Sequence, residues 1–234
     1  MRKLTTLTLP FVFLLFLVGA GPAYEPTTDY HQQTVEGWLV YVSSAFDKDH
    51  QVEHDKSLAL LRVKLFDITR VVPAPALAEL RKVPIWLEVA DRKTTCMCYH
   101  PSRQWLIDND LNPDKARSVE IANTKRFLTW SLAQPWMVLH ELSHAYHDRV
   151  LGFENPEIKA AYDQAVSSHK YESILYFNGK TVRAYALTNA KEFFAENSEA
   201  FFGTNDFYPF VRAELQSYDP VTYQLLRKMW GLKE

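Results

Sequence analysis

Cysteine is scarce in this chain of 234 residues: only Cys96 and Cys98 occur, too few for more than one bridge. They stand two apart in a strand-like stretch, where alternate side chains share a face. A strained local disulfide and a reduced, buried pair are therefore both open. Basic charge is not in excess either. Without Arg2 and Lys3, which belong to an N-terminal segment set apart below, the 26 basic side chains fall to 24 against 28 acidic ones, a formal balance of −4. That offers no electrostatic footprint for nucleic acid or an anionic lipid surface. Internal repeats, low-complexity tracts and linkers are missing too. What is present is 47% hydrophobic and 14% aromatic residues, enough to bury one substantial core and too much for intrinsic disorder.

A wholly apolar run from Phe11 to Val18 follows Arg2 and Lys3 and precedes the small residues Gly19, Ala20, Gly21 and Ala23. This is the pattern of a secretory signal peptide, residues 1–23, with cleavage after Ala20 or Ala23. The run is too short to read first as a spanning helix, although retention as an anchor stays open. No Cys follows it to take a lipid. The expectation is one mature domain, residues 24–234, secreted or periplasmic, with no stable membrane insertion after cleavage.

Along that domain, Gly37 to Val42 reads as a strand, Leu58 to Val72 as a helix stopped by Pro73 and Pro75, and Ala76 to Arg81 as a short helix. Val83 to Val89 is a second strand, with the Cys-bearing Thr94 to Tyr99 pairing beside it. Ser118 to Ala122 is a further strand. Pro135 opens a helix to Val150, capped by Gly152. After a helix over Pro156 to Ser168, two strand-like runs flank Asn178-Gly179, the signature of a hairpin with a two-residue turn. The chain closes with helices over Asn189 to Phe202, Tyr208 to Gln216 and Asp219 to Trp230.

The chemistry concentrates in His140-Glu141-Leu142-Ser143-His144, an H-E-x-x-H pattern inside an apolar helix. At about 100° per residue, positions four apart lie about 40° from one another on one face, so both imidazoles can reach one ion. Glu141 lies to the side, suited to a water on that ion as general base. Chance alone supplies the pattern in roughly one chain of this length in a hundred. His147 lies three residues further on, better suited to an outer shell or the surface than to ligation. A zinc peptidase needs a third protein ligand, and the downstream helix offers Glu192, Glu196 and Glu199 as one acidic stripe opposite Phe193, Phe194, Phe201 and Phe202. A solvated amphipathic helix has the same pattern; beside an H-E-x-x-H helix, the stripe is better turned toward the metal.

The stretch from Tyr185 through Thr188, Asn189, Glu192, Phe193, Phe194 and Ala195 to Glu196 resembles the corresponding segment of gluzincin peptidases of the anthrax lethal factor and Pro-Pro endopeptidase group. The resemblance covers only the catalytic half, about Pro135 to Gly203, and implies a zinc endopeptidase. It selects Glu192 as the third zinc ligand and Tyr185 as a catalytic side chain, with Glu196 as an outer carboxylate orienting a ligating imidazole. Substrate preference does not carry over. Two other groupings compete for attention. His50-Gln51-Val52-Glu53-His54 fits an inverted H-x-x-E-H pattern, but charged neighbours mark a solvated helix start. Cys96, Cys98 and His100 could be imagined around a second metal, although their alternation is more simply that of a strand.

The sequence thus predicts an α+β, zincin-like domain: a small twisted sheet from the first half packed on the His140 helix, and a mainly helical C-terminal half holding the Glu192 helix against it. The expected activity is hydrolysis of a peptide or protein substrate with one zinc ion, through His140, His144, Glu192, Glu141 and Tyr185. A zinc-stabilised binding domain without turnover and a zinc hydrolase of a non-peptide amide remain as alternatives.

Overall fold

The computed structural model describes residues 24–90 and 96–232, so the expected signal peptide lies outside the described residues. Strands β1 (Tyr30–Val35), β2 (Trp38–Ser43), β3 (Ile85–Leu87), β4 (Met97–Tyr99) and β5 (Val119–Ile121) form one sheet in the order β1-β2-β3-β5-β4. β1 and β2 are an antiparallel hairpin whose turn residues, Glu36 and Gly37, both have positive φ, as a tight primed turn requires. β2, β3 and β5 run parallel, and β4 returns antiparallel along the edge. β3 and β5 are buried at every position, the mark of central strands covered on both faces. The Cys-bearing strand therefore pairs with β5, not directly beside β3 as the sequence suggested.

Helices α1 (Phe46–Asp49), α2 (Gln51–Val71) and α3 (Ala74–Leu80) carry the chain from β2 to β3, and α4 (Arg103–Asp108) lies between β4 and β5. After α5 (Thr124–Trp130) the described chain is mostly helical: α6 (Met137–Tyr146), α7 (Pro156–Ser168), α8 (Ala190–Phe202), α9 (Arg212–Tyr218) and α10 (Pro220–Met229), with only the short strands β6 (Ile174–Leu175) and β7 (Thr181–Val182) between α7 and α8. The architecture is mixed α+β, as expected. No helix among the described residues is long and apolar enough to cross a membrane.

Several boundaries move for identifiable reasons. α2 begins seven residues before Leu58, because the polar stretch ahead of the apolar period is helical too. α6 keeps α-helical geometry only to Tyr146 and widens into a π-turn, His147–Leu151, before Gly152 at φ 79° ends it. The expected two-residue hairpin is looser: β6 and β7 pair at Ile174 with Val182 and at Leu175 with Thr181, leaving five residues in the loop. α9 starts at Arg212 rather than near Tyr208.

α6 packs between the sheet and α8, with α2 and α3 against it. One core joins Trp38, Leu61 and Leu80 to Leu139, Leu142, Phe194, Phe201 and Trp230. α8 is not an amphipathic surface helix: every residue from Phe193 to Phe202 is buried. Its four buried phenylalanines each contribute about 2–3 kcal/mol, which offsets the cost of drawing Glu196 and Glu199 inside. α6 and α8 meet closely at their ends because Gly203, just past α8, has no side chain. A Cβ there would lie 1.8 Å from the indole of Trp136, the residue preceding α6.

Candidate metal centre

His140 and His144 stand one turn apart on the face of α6 that looks at α8. Asn189 determines where α8 begins, since its side chain accepts hydrogen bonds from the backbone N–H groups of Lys191 and Glu192, the usual capping arrangement. Glu192 consequently falls in the first turn, facing both imidazoles. The Nε2 atoms of His140 and His144 are 3.1 Å apart. Glu192 Oε2 is 3.1 Å from the first and 3.2 Å from the second. The result is a nearly equilateral triangle of two nitrogens and one oxygen. Tetrahedral ligation of zinc, with bonds of about 2.0–2.1 Å, separates ligand atoms by about 3.3 Å, so a cation fits with little adjustment. The side chains of His140 and His144 are 12% exposed and that of Glu192 17%, which leaves one side open.

The ring orientation of His140 is held from behind. Its Nδ1 lies 2.8 Å from Glu199 Oε1 and 3.6 Å from Glu196 Oε1. A proton on Nδ1 shared with Glu199 leaves the Nε2 lone pair aimed into the triangle. The orienting carboxylate is therefore Glu199, with Glu196 behind it, not Glu196 as the resemblance implied. Seven residues beyond Glu192, Glu199 completes two helical turns and returns to the same face; the signal was in the acidic stripe.

The electrostatics all ask for positive charge. Burial alone would keep His140 neutral, but hydrogen bonds to Glu192 and Glu199 outweigh it and raise its pKa well above the ordinary value. Burial would raise Glu192, yet the hydrogen bonds from both imidazoles hold its carboxyl well below the usual range. Glu196 and Glu199, both buried, are pushed up by desolvation, and in Glu196 also by the charge of Glu199. One oxygen of each has no hydrogen-bond partner. Asp206, 1% exposed, is likewise raised by burial. Three carboxylates thus pair with the two histidines, and a fourth, Asp206, lies near them. Among the described residues, His140, His144 and Glu192 are one of three groups that could hold a metal ion; His140 with Glu196 and Glu199 is another.

A cleft of about 520 Å³ opens over the triangle, lined by Glu141, Tyr185, Tyr176, Trp130 and Phe207 together with β4. Glu141 Oε2 accepts a hydrogen bond of 2.8 Å from the backbone N–H of Tyr99, so the edge strand holds this carboxylate at the cleft wall. The Tyr99 hydroxyl in turn donates to Asp148 at 2.6 Å, tying β4 to the end of α6. Sequence reasoning missed this backbone contact because every residue except proline supplies the same N–H at position 99. Tyr185 is 47% exposed and opens a 3₁₀ turn, Tyr185–Leu187, rather than ending a hairpin strand. Burial of part of its ring and the charge of Glu192 raise its pKa.

Of the remaining candidates, His147 is neither surface nor outer shell. It is fully buried between Phe153 and Phe194, with no partner for either ring nitrogen, and burial lowers its pKa to about 4. The inverted pattern does not assemble either: His54 Nδ1 lies 2.8 Å from Asp55 and its ring packs edge-on to Phe46. His50, Glu53 and His54 are not among the potential metal groups. Cys96 and Cys98 are in no disulfide, and Cys96 precedes β4 rather than sharing its face. Comparison with known proteins found no matching family model, no matching curated relative and no matching solved structure.

Proposed function

We propose that the chain is a secreted zinc-dependent endopeptidase with a zincin-like, gluzincin type of site, in which His140, His144 and Glu192 hold one zinc ion. The observation that carries the reading is the triangle of His140 Nε2, His144 Nε2 and Glu192 Oε2, with edges of 3.1–3.2 Å, at the floor of an open cleft. Zinc bound there would supply Lewis-acid polarisation and lower the pKa of a water in the open position. The residues of the chain do the rest. Glu141, anchored by the Tyr99 backbone N–H, takes the proton of the attacking water and passes it to the departing amine. Tyr185, at the cleft wall, donates a hydrogen bond to the oxyanion of the tetrahedral intermediate, worth about 3 kcal/mol for a well-placed donor. Glu199 keeps the His140 ring in its ligating orientation.

The test is metal content and turnover of a peptide library with wild type, Glu141→Gln and Glu192→Ala. Glu141→Gln is expected to keep its zinc and lose about a hundredfold to ten-thousandfold in kcat, while Glu192→Ala loses the zinc of this site. Full activity in Glu141→Gln would defeat the proposal. Zinc bound by wild type with no peptide or protein hydrolysed would turn the assignment to a metal-stabilised binding domain.

A further inference from the structure

A second group of donors lies on the sheet, behind the wall of the same cleft. In the antiparallel β4–β5 pair, Cys98 stands directly opposite Glu120, and His100 follows two residues later, its backbone N–H still donating to Ser118 across the ladder at 3.0 Å. Side chains two apart on a strand share a face, and those directly opposed across strands have Cβ atoms about 4.5–5.5 Å apart. The three heads therefore meet. Cys98 Sγ is 3.4 Å from His100 Nε2 and 4.0 Å from Glu120 Oε2, and His100 Nε2 is 2.6 Å from Glu120 Oε2.

We propose that Cys98 Sγ, His100 Nε2 and Glu120 Oε2 form a second metal site, for a borderline divalent cation of the zinc class, with its fourth position toward the cleft. Sulfur, imidazole and carboxylate together suit such an ion rather than magnesium or calcium. Tetrahedral ligation needs edges of about 3.3 Å between nitrogen and oxygen and about 3.6 Å to sulfur, so only the short His100–Glu120 edge has to open, by less than about 1 Å.

The surroundings support this assignment. Glu120 and His100 are 0% and 3% exposed, so their geometry is held by packing. Lys115 Nζ bonds the other oxygen of Glu120, Oε1, and also reaches Glu88 Oε1 at 2.6 Å. That fixes the Glu120 carboxylate from behind and leaves Oε2 for an ion, the usual outer support of a ligand. The charges also close: two carboxylates against one ammonium leave −1, and a dication with the Cys98 thiolate adds +1. Cys98 lines the cleft, which gives the ion a way in. Cys96, which the sequence had grouped with Cys98 and His100, is replaced by Glu120 from the neighbouring strand.

The site is tested by titrating chelator-stripped, reduced protein with cobalt(II). The peptidase triangle contains no sulfur, so a thiolate-to-cobalt charge-transfer band in the near ultraviolet reports the sheet site alone. Wild type should bind two equivalents and show the band. Cys98→Ser should lose the band and one equivalent while keeping the other, and Cys96→Ser and Glu192→Ala should both keep the band. Wild type without the band overturns the proposal, whatever the variants do, and leaves His100 and Glu120 as a buried ion pair. A band that survives Cys98→Ser overturns it as well. Cobalt retained in full by Glu192→Ala would count against the peptidase site and leave this one standing.

Discussion

Two buried acidic clusters, one on the sheet and one on α8, are balanced differently. On the sheet, Glu88 and Glu120 share Lys115, with the hydroxyl of Tyr30 also on Glu88. There, burial raises Glu88 despite Lys115 and would raise Glu120, but hydrogen bonds from His100 and Lys115 hold Glu120 below its ordinary value; burial would lower Lys115, but the two carboxylates outweigh it and raise it. Glu196 and Glu199 on α8, with Asp206 just beyond it, have no Lys or Arg among their hydrogen-bond or ion-pair partners in the described residues, and burial pushes all three up. A covalently attached ammonium stabilises the sheet cluster in every state of the protein. The helical cluster has instead the His140 imidazole, 2.8 Å from Glu199 and 3.6 Å from Glu196. The sheet cluster has one built-in ammonium for two carboxylates, whereas the helical cluster has only an imidazole beside it.

The largest way to break this contrast is Lys115→Met, which leaves Glu88 and Glu120 buried without their ammonium. Urea unfolding followed by tryptophan fluorescence should show a loss of about 3–5 kcal/mol; a loss under about 1 kcal/mol would mean that the sheet cluster is not held by its lysine. The helical cluster should respond to metal even where the sheet site is removed. Zinc at a thousandfold excess over its dissociation constant should add about 4 kcal/mol to Cys98→Ser relative to the same variant in chelator, and identical unfolding curves with zinc and with chelator would contradict the comparison. The smallest effect separates His147 from both clusters. Its pKa falls from the ordinary 6.5 to about 4 on folding, so the unfolded chain binds more protons between those values. Stability is full above pH 6.5 and declines by up to about 3 kcal/mol as pH drops to 4. Comparing wild type with His147→Leu in chelator isolates this loss; equal acid profiles for the two would show that His147 does not carry it.

The sequence was informative where spacing along one element decides geometry. The i, i+4 histidines of α6, the acidic positions of α8, the α+β class and most helix positions could be read from periodicity and capping residues. It was less informative where partners come from different elements. Thr94 to Tyr99 reads as a strand, but its place at the edge beside β5 depends on where Ser118 to Ala122 inserts. Tyr185 was placed on a strand because the residues before it alternate, yet the chain turns into a 3₁₀ helix to enter α8.

By itself the sequence determined the local codes: which imidazoles share a helix face, where Asn189 starts α8, and which carboxylates lie on one stripe. Tertiary structure alone decided that Glu199 rather than Glu196 orients His140, that the Tyr99 backbone anchors Glu141, and that Glu120 rather than Cys96 joins Cys98 and His100. The physical reason is distance along the chain. Helical and strand periodicity relate residues a few positions apart, whereas a hydrogen bond across 42 or 59 residues exists only after the hydrophobic core has brought α6, α8 and β4 together.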